Sequence, residues 1–155
     1  MRTEAVIIIA EPDDSCFSMI KSGLRRAGIS NEIIRFCDGQ ATLDYMFVPD
    51  EGGKLEGNRE YLLLLEVDLP KTDGAEVLKK VKEDGELKKV PVIMLTSVDD
   101  AETVERCHSL GCSMYIVKPG EPDGFSDVIQ KIGLFLLSVE IPQINGVERT
   151  SGIFE

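Results

Sequence analysis

The sequence has no tryptophan, one histidine (His108) and four cysteines, a shortage that excludes several kinds of chemistry at once. Cys16, Cys37, Cys107 and Cys112 never stand at C-x-x-C spacing, so neither a structural zinc site nor a disulfide framework is expected. They read as reduced, partly buried thiols. Long apolar runs are missing too: AVIIIA at 5–10 is far short of the roughly 20 residues needed to cross a bilayer, so no membrane span is expected. Neither G-x-G-x-x-G nor G-x-x-x-x-G-K occurs, which removes the glycine-rich phosphate loops. Positive charge is scarce. The 17 Lys and Arg face 28 Asp and Glu, a formal charge of -11 that repels a phosphate backbone and argues against nucleic-acid partners. The N-terminus lacks the basic start, long apolar stretch and small-residue cleavage site of a secretory signal, so the expected compartment is the cytoplasm.

What is present is an ordinary globular composition, with 43% apolar residues in a chain of 155, enough for one domain with a full core. That domain is expected over 1–140, with 141–155 as a docked or frayed tail of little periodicity. Short apolar runs alternate with segments of helical period, the pattern of a parallel sheet covered by helices on both faces. Strands are expected at 4–10, 31–37, 61–66, 90–97 and 112–118. Helices are expected between and after them: one through Phe17, Ile20, Leu24 and Ala27 that stops at Gly28, then 38–47, 74–82, 99–110 and 124–138. The Gly- and charge-rich stretch 48–60 reads as a loop. Strict alternation implies an α/β, doubly wound, five-stranded parallel sheet with right-handed crossovers and five helices. The functional crevice of such a sheet lies beyond the carboxyl ends of its strands.

Charged and hydroxyl residues collect at those ends. The first strand runs into Glu11, Pro12, Asp13 and Asp14; the third ends at Glu66, with Asp68 just beyond; the fourth ends at Thr96 and Ser97; the fifth ends at Lys118, before Pro119. Carboxylates, a hydroxyl and an ammonium thus converge from segments far apart in the chain. Each residue also has a plainer reading. Asp13 and Asp14 suit a helix start, Ser97 or Asp99 a helix cap, and Tyr115 a half-buried strand position.

With IIIAEPDD, LLLLEVDLPKTDG, VPVIMLTS and YIVKP in this order and spacing, the chain from about residue 4 to 139 resembles the receiver domain of two-component response regulators, especially the small single-domain kind. The resemblance implies a flavodoxin-like sheet of order 2-1-3-4-5, and a protein that accepts a phosphoryl group from a histidine kinase onto an aspartate with Mg2+ bridging. It places Glu66 at the phosphoacceptor position and Glu11 and Pro12 on the family's acidic pair. Thr96 falls on the hydroxyl that contacts the phosphoryl group, Tyr115 on the switch aromatic, Lys118 on the invariant cation, and Pro119 on a residue expected after a cis peptide. Asp68 falls where a backbone carbonyl binds the metal.

Two departures strike the chemistry. Glu66 carries its carboxylate about a bond length too far, and a misplacement of about 1 Å can cost on the order of a hundredfold in an in-line reaction. Pro12 replaces a metal ligand, so Mg2+ is expected to be absent or weakly held by Glu11, Asp13 and Glu66. The expectation is a non-enzymatic signalling protein with impaired or absent phosphotransfer. It would bind a histidine kinase or a downstream effector through the face carrying Tyr115 and the last two helices, a surface that in the family also forms homodimers. Glu66 either mimics the phosphorylated state in part or pairs with Lys118 alone and leaves Thr96 uncontacted. Three other readings stand beside this one: a conventional receiver phosphorylated on Asp68 or Glu66, a haloacid-dehalogenase-like phosphatase using E-V-D with Thr96 and Lys118, and a flavodoxin-type cofactor domain. The last is disfavoured by the acidic EPDDS at its phosphate position.

Overall fold

A computed structural model describes residues 1–47, 55 and 57–144. Most of the loop expected at 48–60, and the tail beyond 144, lie outside the described residues. The strands are β1 (Val6–Ala10), β2 (Ile33–Phe36), β3 (Arg59–Leu65), β4 (Val92–Thr96) and β5 (Met114–Val117), joined by helices α1 (Asp14–Arg26), α2 (Gly39–Phe47), α3 (Gly74–Glu83), α4 (Ala101–Leu110) and α5 (Pro122–Leu136). They form the parallel order β2-β1-β3-β4-β5 expected of the sequence. Two features were not foreseen. A 3-10 turn spans Leu87–Lys89 before β4, and Gln143–Ile144 form a short β6 antiparallel to Arg59–Glu60 of β3.

The strands read as continuous apolar runs because both faces are buried. Ile8, Leu63, Leu65, Val92 and Met94 face α2, α3 and α4, where they meet Leu43, Met46, Val77, Leu78, Val81 and Cys107. Their neighbours Ile7, Ile9, Leu62, Leu64, Ile93 and Leu95 face α1 and α5, against Ile20, Leu24, Phe125, Ile129 and Leu136. Period-2 alternation along each strand therefore divides the core into two halves.

Helix boundaries follow local chemistry. Asp13 caps α1 by accepting from the Cys16 amide at 2.8 Å, and Asp73 caps α3 through the Glu76 amide at 2.9 Å. The cap of α4 is Asp100, which accepts from the Thr103 amide at 2.9 Å, so the helix starts later than Ser97 or Asp99 would place it. Thr103 decides the choice, because its hydroxyl also donates to the Asp100 carboxylate at 2.8 Å.

Register sets the position of the site. Ala10 pairs with Leu65 across β1 and β3, so the next residues, Glu11 and Glu66, leave the sheet side by side. Thr96 pairs with Val117 across β4 and β5, and the Lys118 amide donates to the Thr96 carbonyl at 2.7 Å. Behind Glu66 the backbone is packed so closely that a Cβ on Gly74 would lie 2.0 Å from the Glu66 carbonyl oxygen. The Gly74 amide donates to Val67 at 2.8 Å, which closes the turn between β3 and α3. Gly74→Ala is therefore expected to cost about 1–3 kcal/mol, since backbone must move to admit the methyl group. Urea unfolding measures this, and an unchanged midpoint would show that the turn is looser than its geometry.

Candidate functional site

The residues beyond the strand ends meet at one buried ammonium. Lys118 Nζ donates to Glu11 Oε1 at 2.6 Å and to Glu66 Oε2 at 2.7 Å, and the three side chains are only 7%, 4% and 7% exposed. Neighbouring strands lie about 4.8 Å apart, so from β5 the lysine must cross β4 to reach β3 and β1. Its long stem and the two long acidic side chains make that span. The second oxygens are also engaged: Glu11 Oε2 accepts from the Asp13 amide at 3.0 Å, and Glu66 Oε1 from the Asp68 amide at 3.2 Å.

Burial alone would lower the Lys118 pKa, but the hydrogen bonds and charges of Glu11 and Glu66 outweigh it and raise it. The ammonium stays charged throughout the physiological range. Two carboxylates share one cation in this cluster.

The remaining predicted residues take distinct places. Asp13 is exposed, and its carboxylate turns away to cap α1; the Cys16 amide holds its pKa below the usual carboxylate range. Asp68 is also exposed and reaches the pocket through its backbone amide. Of the expected acids, the structure thus brings Glu11 and Glu66 together at side-chain level, but not Asp13 or Asp68. Thr96 is fully buried, and its hydroxyl accepts from the Val98 amide at 3.2 Å, whereas Glu66 bonds to Lys118 and the Asp68 amide. Tyr115 is half-buried and donates its hydroxyl to the Val98 carbonyl at 2.6 Å. Burial, with Cys107, Asp100 and Glu66 nearby, pushes its pKa up to about 12.

One expectation is corrected. No peptide bond among the described residues is cis, so Pro119 follows Lys118 through a trans bond. Trans is the form that X-Pro bonds favour by default, and the Lys118 amide already reaches Thr96 in that geometry.

Sequence reasoning missed Arg35 and Val98. Arg35 Nε donates to the Glu11 carbonyl at 3.1 Å, Nη1 pairs with Asp14 at 2.7 Å, and the guanidinium lies 4.8 Å from the centroid of the Phe17 ring. It pins the turn between β1 and α1 from the side of β2. A charged residue within the apolar NEIIRFC was the available signal. Val98 carried no such signal, because it acts through its backbone: its amide serves Thr96 and its carbonyl serves Tyr115.

The donors present do not fit a divalent ion. Each carboxylate oxygen of Glu11 and Glu66 already accepts a hydrogen bond, Pro12 offers no side-chain donor, and the Lys118 ammonium stands between the two acids. Among the described residues, no group of three or more His, Cys, Asp and Glu side chains is arranged to hold a metal.

Residues 7–130 match the family described as the response regulator receiver domain. The chain is similar to the response regulator Rcp1 of Synechocystis, at 30% identity over 138 residues covering 88% of this chain and 92% of Rcp1. It is also similar to the solved receiver domain from Rhodospirillum rubrum, with a TM-score of 0.85, 38% identity and coverage of 91% of this chain and 99% of that one. The Mn(2+)-bound form of Rcp1 superposes with a TM-score of 0.80 at 28% identity, covering 88% and 98% of the two chains.

Two predictions rest on this geometry. Lys118→Met leaves two buried carboxylates without their cation and is expected to cost about 3–5 kcal/mol, read by denaturant unfolding. A loss within the range of surface substitutions would mean that the acids find other partners. The second concerns alkaline pH. Folding raises the pKa of both Tyr115 and Lys118, so the stability they contribute is full below their unfolded values and falls as pH rises through the folded ones, about 12 for Tyr115. In an ultraviolet titration, the tyrosinate step lost in Tyr115→Phe should be one near pH 12. A lost step in the ordinary tyrosine range would contradict the buried hydroxyl.

Proposed function

The chain belongs to the response regulator receiver family, and from that premise we propose that it signals by binding another protein without acquiring a phosphoryl group. The observation that supports this reading is the engagement of Glu66. Its carboxylate, at the phosphoacceptor position, bonds to Lys118 and to the Asp68 amide, so each oxygen accepts a hydrogen bond from within the protein. A nucleophile for phosphoryl transfer must lie in line with the incoming phosphorus while cations neutralise the developing charge. Here the cation holds the nucleophile instead. Glu11 shares the same ammonium.

Of the two roles open to Glu66, its contacts favour pairing with Lys118 over mimicry of a phosphoryl group. Its oxygens bond to Lys118 and the Asp68 amide, whereas the Thr96 hydroxyl is bonded to Val98. One carboxylate charge would in any case replace an added charge of about -1.5 to -2 and three acceptor oxygens. The loop between β4 and α4 is fastened at Val98 by Thr96 and Tyr115, which ties it to β5. On this reading the protein works in the cytoplasm without enzymatic activity, and its partner is a histidine kinase or a downstream effector. Homodimers through the same surface are compatible with it.

Phosphorylation on Asp68 is less well supported, because that residue is exposed and Lys118 bonds to Glu11 and Glu66 instead. The phosphatase reading has no support in the family matched by the chain. Incubation with acetyl phosphate and Mg2+, followed by intact-mass measurement, tests the proposal. The expected spectrum shows the unmodified mass alone. Stoichiometric phosphorylation would overturn it, and a phosphopeptide map would then show whether Glu66 or Asp68 carries the group.

A further inference from the structure

We propose that Lys118 supplies this pocket with a built-in cation: its ammonium takes the place of a divalent ion between Glu11 and Glu66 and holds the ends of β1, β3 and β5 together at any metal concentration. This deepens the reading above, since it rests on Glu66 standing at the receiver site. It concerns metal rather than phosphate, however, and can fail independently.

Three observations carry it. The first is position. The ammonium makes short charge-assisted bonds of 2.6 and 2.7 Å to acids that leave two adjacent strands, and so bridges and partly neutralises both. The second is charge. Two buried carboxylates and one ammonium leave a single net negative charge, too little to draw a strongly hydrated divalent ion out of water. An acid at residue 12 would add a second, but proline stands there and contributes neither charge nor side-chain donor. The third is the turn that would have to open. Between β1 and α1 the Glu11 carbonyl accepts from Arg35, the Asp13 amide donates to Glu11, and the Asp13 carboxylate caps α1. Protein groups thus occupy the positions from which a metal would recruit its ligands. To enter, Mg2+ would have to displace a buried lysine and break this turn, while keeping the near-octahedral oxygen shell it requires.

The test uses the full chain and bare metal ions. Thermal midpoints are recorded in EDTA and in millimolar Mg2+, and bound Mn2+ is counted by electron paramagnetic resonance. For the parent protein the two midpoints should coincide, with no saturable Mn2+ binding. Pro12→Asp, in a half-buried turn position that tolerates a polar residue, should gain saturable Mn2+ binding and a Mg2+-dependent rise in midpoint. Lys118→Met should melt lower in EDTA and recover part of the loss in Mg2+, because the ion then fills the vacated position. Should Lys118→Met not fold in EDTA, Pro12→Asp alone decides. A Mg2+-dependent midpoint or saturable Mn2+ binding in the parent overturns the proposal, as does a Pro12→Asp protein that remains indifferent to metal. A parent that binds Mn2+ yet stays unphosphorylated by acetyl phosphate would sink this inference and leave the proposed function standing.

Discussion

The Lys118 ammonium between two buried glutamates is the interaction on which the rest of the site depends. Taking ions out of water costs several kcal/mol each, on the order of what a good partner returns, so the cluster is no simple source of stability. What it provides is placement. Its bonds join β5 to β3 and β1 across the intervening β4, adding side-chain ties to backbone bonds that already run past the strands, from the Glu66 amide to Ala10 and from the Lys118 amide to Thr96. An apolar trio could fill the same space, but it would not specify which side chains face which.

Glutamate rather than aspartate at residue 66 has a physical consequence for the ion cluster. The added methylene brings the carboxylate forward, so that Lys118 can satisfy it and Glu11 with bonds of nearly equal length, 2.7 and 2.6 Å. Pro12 is consistent with the same arrangement, since a further carboxylate beside Glu11 would leave the pocket with more negative charge than one lysine can offset. The substitutions at 12 and 66 thus read as one change in how the pocket is neutralised.

Much of this was legible in the sequence, for a reason that also marks the limit. Parallel strands buried on both faces produce apolar runs such as VIIIA and YLLLL, and in an alternating fold the strand-end residues must point into one crevice, so Glu11, Glu66 and Lys118 could be placed together. Strand ends give direction, not side-chain torsion. Asp13 and Asp68 shared the right neighbourhood, but Asp13 caps a helix, a choice made by a local amide donor that has no periodic signature, and Asp68 stands exposed. The same applies to Val98, which acts through its backbone, and to Asp100, which caps α4 because Thr103 supplies two donors to it. Pro119 was misread because a cis bond was carried over by resemblance, whereas the loop after β5 adopts the default trans form.

How a cation fixed at the sheet edge bears on the outer surface follows from the hydrogen bonds between them. The Lys118 side chain is held by the acids while its amide is bound to the Thr96 carbonyl, so β5 cannot shift along β4 without breaking the clamp. Thr96 in turn holds the Val98 amide, and the Val98 carbonyl holds the Tyr115 hydroxyl one strand away. This is a closed path: Lys118 to Thr96, Thr96 to Val98, Val98 to Tyr115, and back along β5. A receiver that switches needs an element with two arrangements of similar free energy and a ligand that prefers one of them. In this structure Lys118, Thr96, Val98 and Tyr115 form one such arrangement, linked by these bonds. The face that carries Tyr115 is thereby coupled, through Val98 and Thr96, to the strand ends that hold Glu11 and Glu66.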